Sequence, residues 1–211
     1  SMGTNLLLVR PGAPGMRPSG EIATLVPADA EAIEQRISNV VAVAPERSGS
    51  QTVRFGNVDY RTQILGTWPS YTQVRDWTAA HGAYFSEADL NSYAPVAVLG
   101  QTVVDSLFPH GQDPVGEYVL IGNIPFEVIG VMEAKGASSF GRDQDDVVFV
   151  PITTGFMRLF GQQYANSINV KVTDSALVDQ TEENIKQLLL ARHQTEDFQI
   201  RNTASMLETM E

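Results

Sequence analysis

Two stretches of this chain, one near each end, carry the same order of patterns, and that repetition limits the architectures open to it. At the start, Asn5-Leu-Leu-Leu-Val9 is an apolar run of strand length, closed by Arg10-Pro-Gly-Ala-Pro-Gly15 and a Pro/Gly-rich loop to Gly20. From Pro27 to Ser38, Ala30, Ile33 and Ile37 fall at helical spacing. Pro27 suits a first helical position, and Val26 is a poor cap before it. Val40-Val-Ala-Val-Ala44 returns as a strand. At the other end Ile168 to Val172 is a strand and Asp174 an N-cap. Leu177, Val178, Thr181, Ile185, Leu188 and Leu189 then line one helical face, and Asp197 to Arg201 is the returning strand. Two β-α-β units split by an insertion pack into one sheet. The predicted fold class is α+β: a split β-α-β pair forming a mixed sheet with helices on one face, plus a small inserted β-rich subdomain.

The middle of the chain is punctuated by turns. Thr52–Phe55 against Val58–Tyr60, and Tyr118–Ile121 against Ile124–Ile129, are both joined by Gly-Asn. A glycine at the first central position supplies the positive φ of a type II′ turn. The second strand of the first hairpin runs on through Ile64-Leu65 to Gly66. Ser86-Glu-Ala-Asp89 is an N-capping pattern for a brief helix. Val96-Ala-Val-Leu99 runs into Gly100 and a helix with Val103, Val104, Leu107 and Phe108 on one stripe. Gly136 to Asp146 is a polar loop, and Val147–Val150 a strand stopped by Pro151. The expected borders are 1–68 for the first half of the split unit, 69–146 for the inserted α/β subdomain and 147–211 for the second half.

Composition narrows the function. With 25 acids against 14 bases the net charge is −11, which repels phosphate backbones and anionic headgroups, so no nucleic-acid partner is expected. The absence of cysteine removes a disulfide framework, a thiolate zinc site and a cysteine nucleophile. No apolar run approaches the ~20 residues that span a bilayer, so the chain itself is not membrane-inserted, and no signal-peptide pattern opens it. Ser1-Met2-Gly3 reads in part as a cloning remnant, and the chain as a fragment of a longer protein.

Asp143-Gln-Asp145-Asp146 is the densest acid cluster, behind the loop Gly136-Ala-Ser-Ser-Phe-Gly141. Its carboxylates could hold Ca²⁺ or form an acid and base pair. Counted from Asp143, however, positions six and twelve of an EF-hand would be Val148 and Thr154 rather than Gly and Glu. The loop also lacks Gly-x-Ser-x-Gly and a Lys-Ser/Thr pair, so it is neither a nucleophile elbow nor a phosphate loop. His81, His110 and His193 lie far apart in sequence and are read as structural, with His193 in the last turn of a helix, where a cation is mildly favoured. No catalytic residue, metal ligand or cofactor is predicted, and the chain is read as not an enzyme. Among Tyr84, Phe85, Phe108, Phe140, Phe156 and Phe160, Phe140 is the best contact candidate because Ser and Gly flank it in a loop.

The chain resembles the periplasmic core domain of the macrolide-exporter (MacB-type) ABC permeases. The pieces that carry the resemblance are Gly3-Thr-Asn-Leu, Leu65-Gly-Thr67, Tyr71 to Trp77, Gly82-Ala-Tyr-Phe85 with Asp89, Val98-Leu-Gly100, Asp113-Pro-Val-Gly116, Phe126 to Val131, Asp143 to Pro151 and Arg192-His193 with Asp197-Phe198. They fall in the family's order across nearly the whole length. Leu25-Val26 and Ala83-Tyr84 depart from its usual Leu-Thr and Arg-Phe. The resemblance implies a porter-like split unit with an inserted subdomain, in the periplasm, as part of a bacterial inner-membrane protein. The parent would be a homodimer with a separate ATPase domain. It would dock a periplasmic adaptor (membrane fusion) protein and, through it, an outer-membrane channel. Phe140, Arg142, Asp143, Asp145 and Asp146 are the candidate partner-contact or hinge residues. Two alternatives stay open: the corresponding domain of a lipoprotein-releasing or orphan permease that hands cargo to a carrier, and a metal-binding module or hydrolase built on the acid cluster.

Overall fold

The computed structural model describes residues 5–13 and 22–203. In chain order the elements open with β1 (Leu6–Pro11), α1 (Pro27–Arg36), β2 (Val40–Phe55), β3 (Val58–Thr67), α2 (Tyr71–Arg75), β4 (Ala79–Gly82) and α3 (Glu87–Asn91). They continue with β5 (Val96–Leu99), α4 (Gln101–Leu107), β6 (Tyr118–Ile121), β7 (Ile124–Met132), β8 (Val147–Pro151) and α5 (Ile152–Gly155). A π turn (Phe156–Phe160), β9 (Ser167–Val172), a 3₁₀ turn (Ser175–Leu177), α6 (Val178–His193) and β10 (Phe198–Asn202) complete the chain. Its contacts divide it into two units. Among the described residues, one comprises 5–13, 22–46, 70–76 and 163–203, and the other 47–69 and 77–162.

In the first unit the strand order is β10-β1-β9-β2, with every neighbouring pair antiparallel. This is the 4-1-3-2 order of a split β-α-β, or ferredoxin-like, sheet. Strand alternation sorts β9 between two environments. Ile168, Val170 and Val172 are fully buried, whereas Asn169 meets the Arg75 side chain at 3.2 Å and Lys171 reaches Asp76 at 3.0 Å, at the end of α2. So α2 lies on the face of β9 that Asn169 and Lys171 occupy, while α1 and α6 pack on each other. Val26 caps α1 without a polar side chain because Asp29, in the first turn, turns back and accepts the Val26 N–H at 3.1 Å. Asp174 accepts the Ala176 N–H at 2.9 Å, but the turn that it caps is 3₁₀, and α6 follows from it.

The second unit has a mixed sheet, β2-β3-β8-β5-β7-β4, in which β3/β8 and β5/β7 are parallel, and β6 pairs with both β2 and β7. Its core gathers Val53, Ile64, Leu99, Val103, Leu107, Phe108, Phe126 and Val128, all buried. Each such side chain contributes roughly 1.5–3 kcal/mol by leaving water. Ser86 and Asp89 form the expected capping box, with bonds of 3.2 and 2.9 Å. The π turn closes through Gly161 N–H to Phe156 O at 3.1 Å. It seats Phe160 over Gly49 and Gly155, where added β-carbons would come within 3.1 and 3.0 Å of the ring.

Three details depart from the sequence expectation. Val40–Ala44 and Thr52–Phe55 are one continuous strand, because Arg47–Phe55 pairs in register with Val58–Gly66 and the polar residues 47–52 take part in that ladder. The borders of the two units differ as well. Contacts divide the chain at 46/47, 69/70, 76/77 and 162/163, whereas the sequence patterns suggest 68/69 and 146/147. Finally, the two Gly-Asn turns differ. Gly56 alone has positive φ (+59°) in the first, as a II′ turn needs, but Gly122 (+55°) and Asn123 (+69°) are both positive, the signature of type I′.

Candidate functional site

The acid cluster closes a loop in the second unit, and each carboxylate has its own donors. Asp145 is 5% exposed, and its two oxygens accept the main-chain N–H groups of Lys135 and Gly136, both at 2.8 Å. Asp143 accepts the Asp145 N–H at 2.9 Å and the Thr102 hydroxyl of α4 at 2.6 Å. Asp146 accepts the Thr62 hydroxyl of β3 at 2.7 Å. Burial pushes the Tyr60 phenol pKa up, and its hydrogen bond and charge interaction with Asp146 push it further. The three carboxylates therefore fasten the loop to itself, to α4 and to β3, rather than converging on a shared point. Among the described residues, no group of three or more acidic or histidine side chains is placed to hold a metal ion.

The rest of the loop is shaped by its own backbone. Ala137 and Asp143 form a bridge, Ser138 N–H donates to Arg142 O at 2.8 Å, and the Ser138 hydroxyl accepts the N–H groups of Phe140 and Arg142 at 3.3 Å. Phe140 stands at the tip, 47% exposed. Arg142 is exposed beside it. The five candidate residues are thus brought into one loop, the acids at its base and Phe140 and Arg142 outermost. Of the other aromatics singled out by sequence, Phe85, Phe108 and Phe156 are buried, and Tyr84 stacks on Phe85 with centroids 4.4 Å apart.

A second polar cluster, in the first unit, was not legible as a set. Asp29 is 1% exposed. One of its oxygens accepts Arg192 Nε at 2.8 Å, and the other meets His193 Nε2 at 2.9 Å. The opposite ring nitrogen of His193 meets Asp197 at 2.6 Å. Burial lowers the His193 pKa, but hydrogen bonds and charge interactions with Asp29 and Asp197 outweigh it, and the net shift is upward. The i, i+4 spacing of His193 and Asp197 was readable, whereas nothing local pointed to Asp29, 164 residues earlier. His81 pairs with Asp113 at 3.0 Å in an exposed setting.

No helix among the described residues is long and apolar enough to cross a membrane. Residues 1–188 match the model of the MacB-like periplasmic core domain. The whole chain is 56% identical to a macrolide export ATP-binding/permease protein MacB of Rhodospirillum rubrum and 53% identical to one of Azoarcus, and in each case it covers 32% of the relative's length. The chain thus spans about a third of these relatives. The periplasmic region of MacB from Actinobacillus actinomycetemcomitans superposes with a TM-score of 0.85 at 27% identity, over 99% of this chain and 93% of that one. The extracellular domain of the ABC-type transporter YknZ shares the fold, with a TM-score of 0.78 at 20% identity, over 94% of this chain and 100% of that one. With a family match over 188 of its residues, a split β-α-β unit and an inserted mixed-sheet unit, this chain belongs to the MacB-like periplasmic core domain family.

Proposed function

We propose that this domain is the periplasmic portion of an ABC-type efflux permease of the inner membrane. In this reading it has no catalytic site of its own. It docks a periplasmic adaptor protein and passes on motion driven by a separate ATPase domain, so that substrate leaves through an outer-membrane channel. The observation that carries the reading is 56% identity, over the full chain, to a protein named as a macrolide export ATP-binding/permease, of which the chain makes up about a third. The engagement of every carboxylate of the acid cluster with a loop or neighbouring donor supports a mechanical role for that loop. Phe140 and Arg142 are the proposed contact residues, and Asp143, Asp145 and Asp146 hold them in place.

The test uses the full-length parent protein and the adaptor from the same genome. Detergent-solubilised parent should retain the tagged adaptor, and Phe140→Ala with Arg142→Ala should cut that retention by about tenfold, the loss expected when ~1.4 kcal/mol of contact is removed. Unchanged retention would remove these residues from the interface. A parent without an ATPase domain would shift the reading to a lipoprotein-releasing or orphan permease.

A further inference from the structure

We propose that His193 is a pH-operated clasp in the first unit. When protonated it holds Asp29 and Asp197 together. When neutral it keeps Asp29, releases Asp197 and thereby loosens the start of β10 from Gly12 and Thr24.

The geometry requires two donors from one ring. Asp29 lies 2.9 Å from Nε2 and Asp197 lies 2.6 Å from Nδ1, and a carboxylate accepts hydrogen bonds but does not donate them. An imidazolium has an N–H on each nitrogen, but a neutral imidazole has only one. Loss of the proton leaves a nitrogen lone pair facing a carboxylate at hydrogen-bond distance, so one of the two contacts must break.

The surroundings decide which contact breaks. Asp29, on α1, also accepts the N–H of Val26 and the Nε of Arg192, and it is almost fully buried. Asp197 is 28% exposed, and its carboxylate can turn to water. The charged groups facing His193 are Asp29 from α1, Arg192 from α6 and Asp197 from the segment before β10. Neighbouring Glu196 is paired with Lys186 at 3.5 Å. Phe198 of β10 presents its ring edge-on to the imidazole, with centroids 6.0 Å apart, and residues 23–26 add no charge. With His193 protonated the four charges Asp29, Asp197, Arg192 and His193 cancel, and without that proton the cluster carries one net negative charge in a site that is 1% exposed at Asp29.

Release of Asp197 has a structural consequence because its main-chain carbonyl holds two other pieces of the unit. It accepts the Gly12 N–H at 2.8 Å, just past β1, and the Thr24 hydroxyl at 2.8 Å, just before α1. The Gly12 amide is therefore a reporter of the clasp, and exchange of its proton reads the state of Asp197 from the other end of the chain.

The experiment is an NMR titration of the histidine rings of the 211-residue chain between acidic and alkaline pH, combined with amide exchange at Gly12. The His193→Gln variant identifies the His193 resonance by its loss. The expected result is a His193 midpoint above the ordinary ~6.5. Gly12 exchange, corrected for its intrinsic pH dependence, should rise across that midpoint, about tenfold for each unit by which the midpoint exceeds ~6.5. Asp197→Asn, which leaves Asp29 and Arg192 intact, should lower the midpoint and flatten the exchange response. It also serves as the test if His193→Gln does not fold. A His193 midpoint at or below ~6.5, or corrected Gly12 exchange that does not change across the midpoint, overturns the proposal.

Discussion

Gly100 faces the main-chain carbonyl of Asp145 so closely that a β-carbon at position 100 would lie 2.2 Å from that oxygen. The φ of Gly100 is −69°, which any residue can adopt, so space rather than conformation excludes a side chain here. Its own N–H donates to Val147 O at 2.8 Å, fixing the turn from β5 into α4 against the end of the acid loop. Gly100→Ala should therefore destabilise the second unit by about 1–3 kcal/mol through forced backbone displacement. Urea unfolding of the variant checks this, and an unchanged midpoint would mean that the loop yields freely.

Asp145 is expected to be a loop fastener. Asp145→Ala leaves the N–H groups of Lys135 and Gly136 without their acceptor, at a cost of about 1 kcal/mol each, because Lys135 is half-buried and Gly136 exposed, so water can take the carboxylate's place. Calcium should not alter the melting temperature of the native chain or of a variant with Asp145 and Asp146 both changed to Asn. Stabilisation by calcium that disappears in the double variant would restore the ion-site reading.

The second hairpin offers a backbone test. Asn123 sits at φ +69°, a region that costs most L-residues ~1–2 kcal/mol and glycine nothing. Asn123→Val should lower stability by about that amount, whereas Asn123→Gly should be close to neutral. Equal losses in both variants would point to a side-chain contact of Asn123 as the cause.

The His193 clasp fixes the sign of one pH dependence. Burial draws its pKa down, the Asp29 and Asp197 interactions draw it up, and the folded value ends above the unfolded ~6.5. The group's contribution to stability is complete below ~6.5 and is lost as pH rises through the folded pKa. Denaturation midpoints of the native chain should fall over that alkaline limb, and His193→Gln should remove this part of the slope. A native chain that gains stability over the same interval would contradict the assignment.

Phe140→Ala should leave the fold intact, within about 0.5 kcal/mol, because the side chain stands exposed at the loop tip. Thermal unfolding checks this independently of any partner. A larger loss would show that the ring packs on its own domain.

Much of the architecture was readable because local patterns and tertiary demand agree. Leu6–Val9, Ile168–Val172 and the Ile185/Leu189 stripe are apolar where the core requires it, and the Ser86–Asp89 box forms as written. What escaped depends on distant partners. Residues 47–51 are too polar to announce a strand, yet the ladder with β3 satisfies their backbone and makes them one. The helix α2 is short, and Tyr71 and Val74 are buried by the fold rather than marked by periodicity. At the site, the density of acids was visible at Asp143–Asp146. The Lys135, Gly136, Thr62 and Thr102 donors that fix their role lie up to 84 residues away.

The continuity of β2 carries one further consequence. Val43 is buried on a stretch that pairs with β9, and Val53 on a stretch that pairs with β3 and β6, along a single strand. Burial alternates at Thr52, Val53 and Arg54, where only the valine is buried, whereas Ala42, Val43, Ala44 and Pro45 are all buried, so only the stretch in the second unit depends on a strict two-residue frame. A one-residue slip of Arg47–Phe55 against β3 would expose Val53 and turn Thr52 or Arg54 inward, whereas Ala42–Pro45 presents apolar side chains in either frame. Length changes between Arg47 and Phe55 should therefore be tolerated only in pairs.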